Sequence, residues 1–92
     1  MNIDFSSSFE RSLKSLPQPD QTEIKSIIAD LIDVLSDQKQ LQQGLGLKRL
    51  RNNYWEVRQG LKTRILFRWD GSSVLLVLVG NHDDVKRFLK QI

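Results

Sequence analysis

Residues 54–69 read Tyr-Trp-Glu-Val-Arg-Gln-Gly-Leu-Lys-Thr-Arg-Ile-Leu-Phe-Arg-Trp, and this stretch decides the fold. Apolar and polar side chains alternate on both sides of Gly60, which is the period of a β-strand. Gly60 can take a positive φ, so the two strands are predicted to form a hairpin. One sheet face is then aromatic and aliphatic, and the other carries a row of basic side chains: Arg58, Lys62, Arg64 and Arg68. A strand needs no such row in order to fold.

A second hairpin is predicted directly after this stretch. Asp70-Gly71 is a pair that favours a type I′ turn between two strands. The run at residues 74–79, Val-Leu-Leu-Val-Leu-Val, is apolar on both faces, which is typical of a strand with neighbours on each side. We therefore predict three antiparallel strands in a meander.

The remainder of the chain predicts an edge strand and three helices. Asn2-Ile3-Asp4-Phe5 alternates like a short strand. Ser7 and Glu10 have capping-box spacing, so a helix is predicted to start at Ser7 and to end at Pro17. A second helix is predicted from Pro19-Asp20 to about Ser36, followed by a polar loop or frayed helix end at residues 38–46 and a turn at Asn52-Asn53. Asn81 or Asp83 is predicted to cap the last helix.

These elements predict one α+β domain over residues 1–92, in the order β-α-α-β-β-β-α. A helical hairpin is packed on a small antiparallel sheet. The core is predicted where the apolar sheet face meets the apolar helix stripes, from Trp55, Val57, Ile65, Phe67 and Trp69 on the sheet and Phe9, Ile24, Ile27, Ile28 and Leu31 on the helices.

Composition and charge limit the classes of function. The chain has no cysteine, which excludes a disulfide framework and a thiolate metal site. No apolar run approaches the roughly 20 residues that span a bilayer, so we expect a cytoplasmic protein without a membrane partner. The net charge is +3, and between Lys48 and Arg68 the only acidic residue is Glu56. This basic segment favours an anionic partner, nucleic acid first, over the alternative of a solvated basic surface.

Four short motifs resemble the RelE/ParE superfamily of bacterial toxins. They are Lys48-Arg49-Leu50, Tyr54-Trp55-Glu56-Val57-Arg58, Thr63-Arg64-Ile65-Leu66-Phe67 and Val79-Gly80-Asn81-His82. The resemblance implies the toxin of a type II toxin–antitoxin pair with the RelE/ParE-like fold. RelE-like members cut mRNA in the ribosomal A site without a metal or cofactor, whereas ParE-like members inhibit DNA gyrase. An inactive member that only binds an antitoxin or nucleic acid is the remaining alternative.

The RelE-like branch implies roles for particular residues. Arg58 and Arg64 match the strand arginines that contact the scissile phosphate, and His82 falls where that branch carries a basic or histidine catalytic residue. The chain departs from the family at Lys86, where some members have a tyrosine general acid, and at Glu56, where a basic residue is common. The basic residues assigned to RNA binding are Lys48, Arg49, Arg51, Lys62, Arg68 and Lys86.

The chemistry of metal-free RNA cleavage agrees with these residue types. It requires removal of the 2′-OH proton, stabilisation of the extra charge on phosphorus and protonation of the 5′-oxygen. Arginines on a sheet are fixed bidentate donors to phosphate oxygens. His82 is the only histidine and can move protons near neutral pH, although a surface residue at a helix start is the alternative. Glu56 is a second candidate base, but its arginine neighbours favour a structural ion pair.

The resemblance implies a ribosome-dependent mRNA endonuclease, and His82 next to the arginine face favours this branch because gyrase inhibition does not require such a residue. The expected partners are the ribosome, mRNA and a cognate antitoxin. We expect an acidic or amphipathic segment of that antitoxin to lie across the basic face or the sheet edge in a hetero-oligomer. Trp55 and Trp69 are assigned to packing because of their strand parity.

Overall fold

The computed structural model describes residues 1–37 and 46–92. Its elements are β1 (Asn2–Phe5), α1 (Ser7–Lys14), α2 (Gln18–Asp37), β2 (Leu47–Arg49), β3 (Tyr54–Gln59), β4 (Thr63–Trp69), β5 (Ser73–Gly80) and α3 (His82–Lys90). The predicted order of elements is confirmed, with β2 as an additional short strand before the meander. The loop or frayed helix end predicted at residues 38–46 lies outside the described residues, except for Gly46.

The five strands form one sheet in the order β1-β5-β4-β3-β2. The meander is antiparallel as predicted, and β5 has neighbours on both sides. The sheet is mixed, however, because β1 pairs with β5 in parallel, with Ile3 opposite Val74. The prediction of a wholly antiparallel sheet was wrong at this edge. A parallel neighbour needs a long crossover, and the helical hairpin between β1 and the meander provides it.

The connection between β4 and β5 is a three-residue loop and not the predicted type I′ turn. A type I′ turn needs two residues with positive φ, and among residues 70–72 only Gly71 has one, at 97°. The Asp70 carboxylate shapes the loop instead, because the backbone N–H groups of Ser72 and Ser73 each donate to Asp70 Oδ1 at 2.9 Å. These hydrogen bonds lower the pKa of Asp70 from 3.8 to about 2, and the bond from Ser72 has the largest effect.

The helix termini follow their capping residues. α1 begins at Ser7 as predicted, but its N-cap is Ser6, whose Oγ accepts from the Phe9 backbone N–H at 3.0 Å. α2 begins at Gln18, before the predicted Pro19-Asp20 start, since the Pro17 carbonyl already accepts from the Asp20 and Gln21 N–H groups. At α3 the predicted Asn81 cap is confirmed, and Asp84 completes a capping box with it.

The main core lies between the sheet and the helical hairpin, where it was predicted. Phe67 and Ile65 of β4 and Val57 of β3 are fully buried, and they pack in one cluster with Leu31 of α2 and Phe9 of α1. The predicted members that lie at the margin of this cluster are half-buried: Ile27, Trp55 and Trp69. The two indole rings are 5.5 Å apart and nearly edge-to-face, so both tryptophans contribute to packing.

The opposite sheet face carries a second apolar cluster, and its place on the predicted basic face was not foreseen from the sequence. α3 runs across this face, and Val85 packs on Leu66 and Val77. A β-bulge contributes to the cluster: Leu66 pairs with Leu78 and Phe67 with Leu76, so Val77 is an extra residue and shares this side with Leu78. Much of the predicted basic face is therefore covered. No helix in the described ranges is long and apolar enough to cross a membrane.

Candidate nucleic-acid interface

Two arginines and a glycine form one row across the three long strands. Arg58 of β3 lies directly opposite Arg64 of β4, and Arg64 lies directly opposite Gly80 at the end of β5. Directly opposite residues share a sheet face, and like charges in such a pair destabilise the sheet. Folding alone therefore does not account for the pair. An anion between or above the two guanidinium groups would relieve the repulsion and accept their hydrogen bonds.

Glu56 and Arg64 form an ion pair beside this row. Glu56 Oε2 lies 3.5 Å from Arg64 Nε, and the Glu56 and Arg64 side chains are only 6% and 11% exposed. Arg58, by contrast, is exposed. Of the predicted row of basic side chains, Arg64 is thus largely buried beside Glu56, whereas Arg58 is open to solvent. The ion pair proposed for Glu56 is present.

The Arg64 guanidinium has unused donors. Its Nε and Nη1 atoms are buried, and neither has a hydrogen-bond partner among the residues that the structure describes. The 3.5 Å approach of Glu56 is thus an ion pair without a hydrogen bond. A buried charged donor without an acceptor is costly, and an arginine fork matches the oxygens of a carboxylate or a phosphate.

The start of α3 rests on the end of this row. A side chain at Gly80 would not fit, because an added Cβ would lie 2.5 Å from Asp84 Oδ2 and 2.8 Å from Asp84 Cβ. This close approach brings the first turn of α3 to the end of the sheet where Arg58 and Arg64 lie. His82 is the first residue of α3 and is exposed. Lys86, also exposed, follows one turn later on the same side of the helix.

Two further basic residues belong to this end of the sheet. Lys48 of β2 pairs with Glu56 and therefore shares its face. Lys62 lies in the turn between β3 and β4, next to the strand ends that carry Arg58 and Arg64, and both lysines are exposed. We define the row-end group as Arg58, Arg64, Glu56, Lys48, Lys62, His82 and Lys86.

The other three basic residues lie elsewhere. Arg49 pairs with Trp55, so it points to the side of α1 and α2. Arg68 is four residues from Arg64, roughly 13 Å along the strand, and its guanidinium lies 5.8 Å above the Tyr54 ring centroid. Arg51 Nη2 donates to the Ile92 carbonyl at 3.1 Å, which fixes it near the C-terminal end of α3. The basic residues named from the sequence therefore do not form one surface.

Sequence reasoning missed the contact between Gly80 and Asp84. The signal was present, since a glycine ends β5 and an Asn-x-x-Asp capping box follows it, but only the tertiary structure shows that the helix packs against that glycine. Within residues 1–36 and 46–92, no three His, Asp or Glu side chains are arranged to hold a metal ion.

Comparison with solved structures identifies the fold. The chain is similar to a chain of the RelB–RelE antitoxin–toxin complex of Methanococcus jannaschii, with a TM-score of 0.69 and 22% identity over 92% of this chain and 96% of that one. It is also similar to a chain of the Escherichia coli DinJ–YafQ complex (TM-score 0.69, 12% identity, 91% and 96% coverage). A third similar structure is a chain of the Mycobacterium tuberculosis RelBE2 toxin–antitoxin complex, with a TM-score of 0.63 and 20% identity over 88% of this chain and 96% of that one.

No protein-family model and no curated protein sequence matches the chain. At these low sequence identities, the structural likeness establishes the fold. The chain therefore has the RelE-like fold of these toxin–antitoxin proteins, as the sequence motifs predicted.

Proposed function

We propose that this chain is the toxin of a type II toxin–antitoxin pair and that it cuts ribosome-bound mRNA. The observation that carries the proposal is the row formed by Arg58, Arg64 and Gly80, with His82 two residues beyond its end. The RelE-like fold and the unused donors of Arg64 support it. Packing of the core requires neither the Arg58–Arg64 pair nor His82.

In the proposed reaction the ribose 2′-oxygen attacks the neighbouring phosphorus and the bond from phosphorus to the 5′-oxygen breaks. The products are a 2′,3′-cyclic phosphate and a 5′-hydroxyl. Arg58 and Arg64 donate to the phosphate oxygens and stabilise the charge that develops there. His82 takes the 2′-OH proton or delivers a proton to the 5′-oxygen, since both transfers suit an imidazole at neutral pH.

Glu56 is the less suitable base of the two candidates. Its side chain is 6% exposed and faces Arg64, so a ribose hydroxyl has poor access to it. His82 is exposed at the start of a helix, where a bound RNA chain can reach it. Lys48, Lys62 and Lys86 are the lysines of the row-end group and are proposed to bind neighbouring phosphates.

The proposed partner is a cognate antitoxin that covers the row-end group. The complexes found for three proteins of this fold support such a partner. A segment with carboxylates would pair with Arg58 and the surrounding lysines, and it would block access of mRNA to them. A complex in which Arg58 and Lys62 remain open to solvent would contradict direct masking.

The test is single-turnover cleavage of ribosome-bound mRNA. We expect His82→Ala to lower the rate by about 10²–10⁴-fold, as the loss of an acid–base group does, and Arg58→Ala by about 10²–10³-fold. Arg11→Ala is the matched control, because Arg11 is an exposed arginine on α1; its rate should equal that of the wild type. Binding to the ribosome should survive His82→Ala better than it survives removal of Lys48, Lys62 and Lys86 together.

Two outcomes would overturn this assignment. Full activity of His82→Ala with an inactive Glu56→Ala would transfer the base role to Glu56. A wild-type protein that leaves mRNA intact and inhibits DNA gyrase would reject the nuclease function and favour the ParE-like alternative.

A further inference from the structure

We propose that Glu56 is a positioning residue, which holds the Arg64 guanidinium in the orientation that receives the scissile phosphate. This inference rests on the proposed function and adds to it a residue that does not touch the RNA. Glu56 acts through Arg64 alone and exchanges no proton with the substrate.

Burial is the first argument. Only 11% of the Arg64 side chain is exposed, and Glu56 is the acidic group that pairs with it. A guanidinium removed from water requires a nearby counter-charge. Arg58 directly opposite adds a second positive charge, so without Glu56 the Arg64 side chain would be driven towards solvent.

The side of the guanidinium that Glu56 contacts is the second argument. Glu56 approaches Nε, the atom nearest the aliphatic stem, at 3.5 Å. A carboxylate at that position restricts rotation of the guanidinium without occupying the Nη side of the fork. Nη1 is buried and has no acceptor within the described part of the chain. Glu56 therefore holds the orientation of Arg64 without using its Nη1 donor, which is the preorganisation that electrostatic catalysis needs.

The position of Glu56 in the sheet is the third argument. It pairs with Lys48 on one side and with Leu66 on the other, which places it one row inward from Arg58 and Arg64. α3 and its apolar cluster lie over Leu66. Glu56 thus borders the covered part of this face, where a carboxylate has no role in packing but can restrain its arginine neighbour.

The experiment is a double-mutant cycle in single-turnover cleavage. Glu56→Gln keeps the side-chain shape and an acceptor oxygen but removes the charge. We expect it to lower the cleavage rate by roughly 10- to 100-fold, the range found for side chains that orient metal ligands by hydrogen bonding. In an Arg64→Ala background, Glu56→Gln should have no further effect, because its target is gone. Glu56→Asp should restore part of the rate, and Glu10→Gln, at an exposed glutamate on α1, is the matched control.

The cycle separates the three roles that Glu56 could have. If Glu56 were the general base, Glu56→Gln would lower the rate in both backgrounds and would remove an ionisation from the pH–rate profile. If Glu56 were needed only for folding, Glu56→Gln would lower the rate in proportion to the fraction unfolded, which circular dichroism measures on the same samples, and the rate per folded molecule would equal that of the wild type. Equal effects of Glu56→Gln with and without Arg64 would overturn the inference.

A second measurement is independent of cleavage. In ¹⁵N NMR spectra the Arg64 Nε–H should exchange with water more slowly than the Arg58 Nε–H, and Glu56→Gln should abolish the difference. If the wild type cuts no mRNA but this protection depends on Glu56, the proposed function fails and the restraint of Arg64 stands. If the wild type cuts mRNA but Arg64 is no better protected than Arg58, the positioning role fails alone.

Discussion

Glu56 and Arg64 form the ion pair beside the row of Arg58, Arg64 and Gly80. Both are largely buried, and their 3.5 Å contact does not satisfy the Arg64 donors. Removal of one partner leaves an uncompensated charge, whereas replacement of both by apolar residues of similar volume is often neutral or stabilising.

We therefore expect Glu56→Met alone to lower the free energy of unfolding by about 3–5 kcal/mol, and Glu56→Met with Arg64→Met to match the wild type or exceed it by up to about 4 kcal/mol. Urea denaturation of the wild type, the single variant and the double variant measures both values. If the double variant is as unstable as the single one, the pair holds the fold together and its role is structural.

α3 depends on its N-terminal cap, because it buries only one residue, Val85, completely. The Asp84 N–H donates to Asn81 Oδ1 at 2.8 Å, and the Asn81 N–H donates to Asp84 Oδ2 at 2.9 Å. Asn81→Ala removes the first of these bonds and should lower stability by about 1 kcal/mol. Gln91→Ala, at the exposed C-cap of the same helix, is the control and should change stability by less than about 0.5 kcal/mol. Denaturation of the two variants tests this, and equal values would show that the cap does not stabilise α3.

The loop between β4 and β5 makes stability depend on pH in the acid range. The pKa of Asp70 is about 2 in the folded protein, against 3.8 for the free side chain, chiefly because the Ser72 N–H donates to its carboxylate. Its contribution is therefore complete above pH 3.8 and is lost as the pH falls from 3.8 to about 2. Thermal unfolding is measured between pH 2 and pH 6 for the wild type and for Asp70→Asn. The variant should lack the part of the acid destabilisation that Asp70 causes, since the amide oxygen accepts the same hydrogen bonds but does not titrate. Parallel profiles for Asp70→Asn and wild type would contradict the assignment.

The molecule as a whole is stabilised chiefly by the main core between the sheet and the helical hairpin. Phe67 is fully buried in the middle strand of the sheet, whereas Leu61, in the turn just before that strand, is 95% exposed. Phe67→Ala should lower the free energy of unfolding by about 3–5 kcal/mol, and Leu61→Ala should change it by no more than about 0.5 kcal/mol. Chemical denaturation of both variants tests the strand parity on which the fold was predicted, and a near-neutral Phe67→Ala would contradict it.

The local features of this protein were readable from the sequence because their causes are local. Alternation with period two specifies which side chains of β3 and β4 face the helical hairpin, and so Val57, Ile65 and Phe67 were assigned correctly to the core. A short side chain that can accept a hydrogen bond from a backbone N–H group marks the start of a helix, as Asn81 does. The residue types of the candidate site, two strand arginines and one histidine, were also visible.

The tertiary structure alone decided the features that depend on residues distant in the chain. The parallel pairing of β1, the bulge at Val77 and the packing of α3 over the second face each join segments that no short pattern connects. The same holds for the site: the packed sheet enclosed Arg64 with Glu56 and placed the Arg68 guanidinium over the Tyr54 ring. Burial, and with it the strength of an ion pair, is set by everything that surrounds a side chain, and so strand parity correctly predicted the face of Arg64 but not its environment.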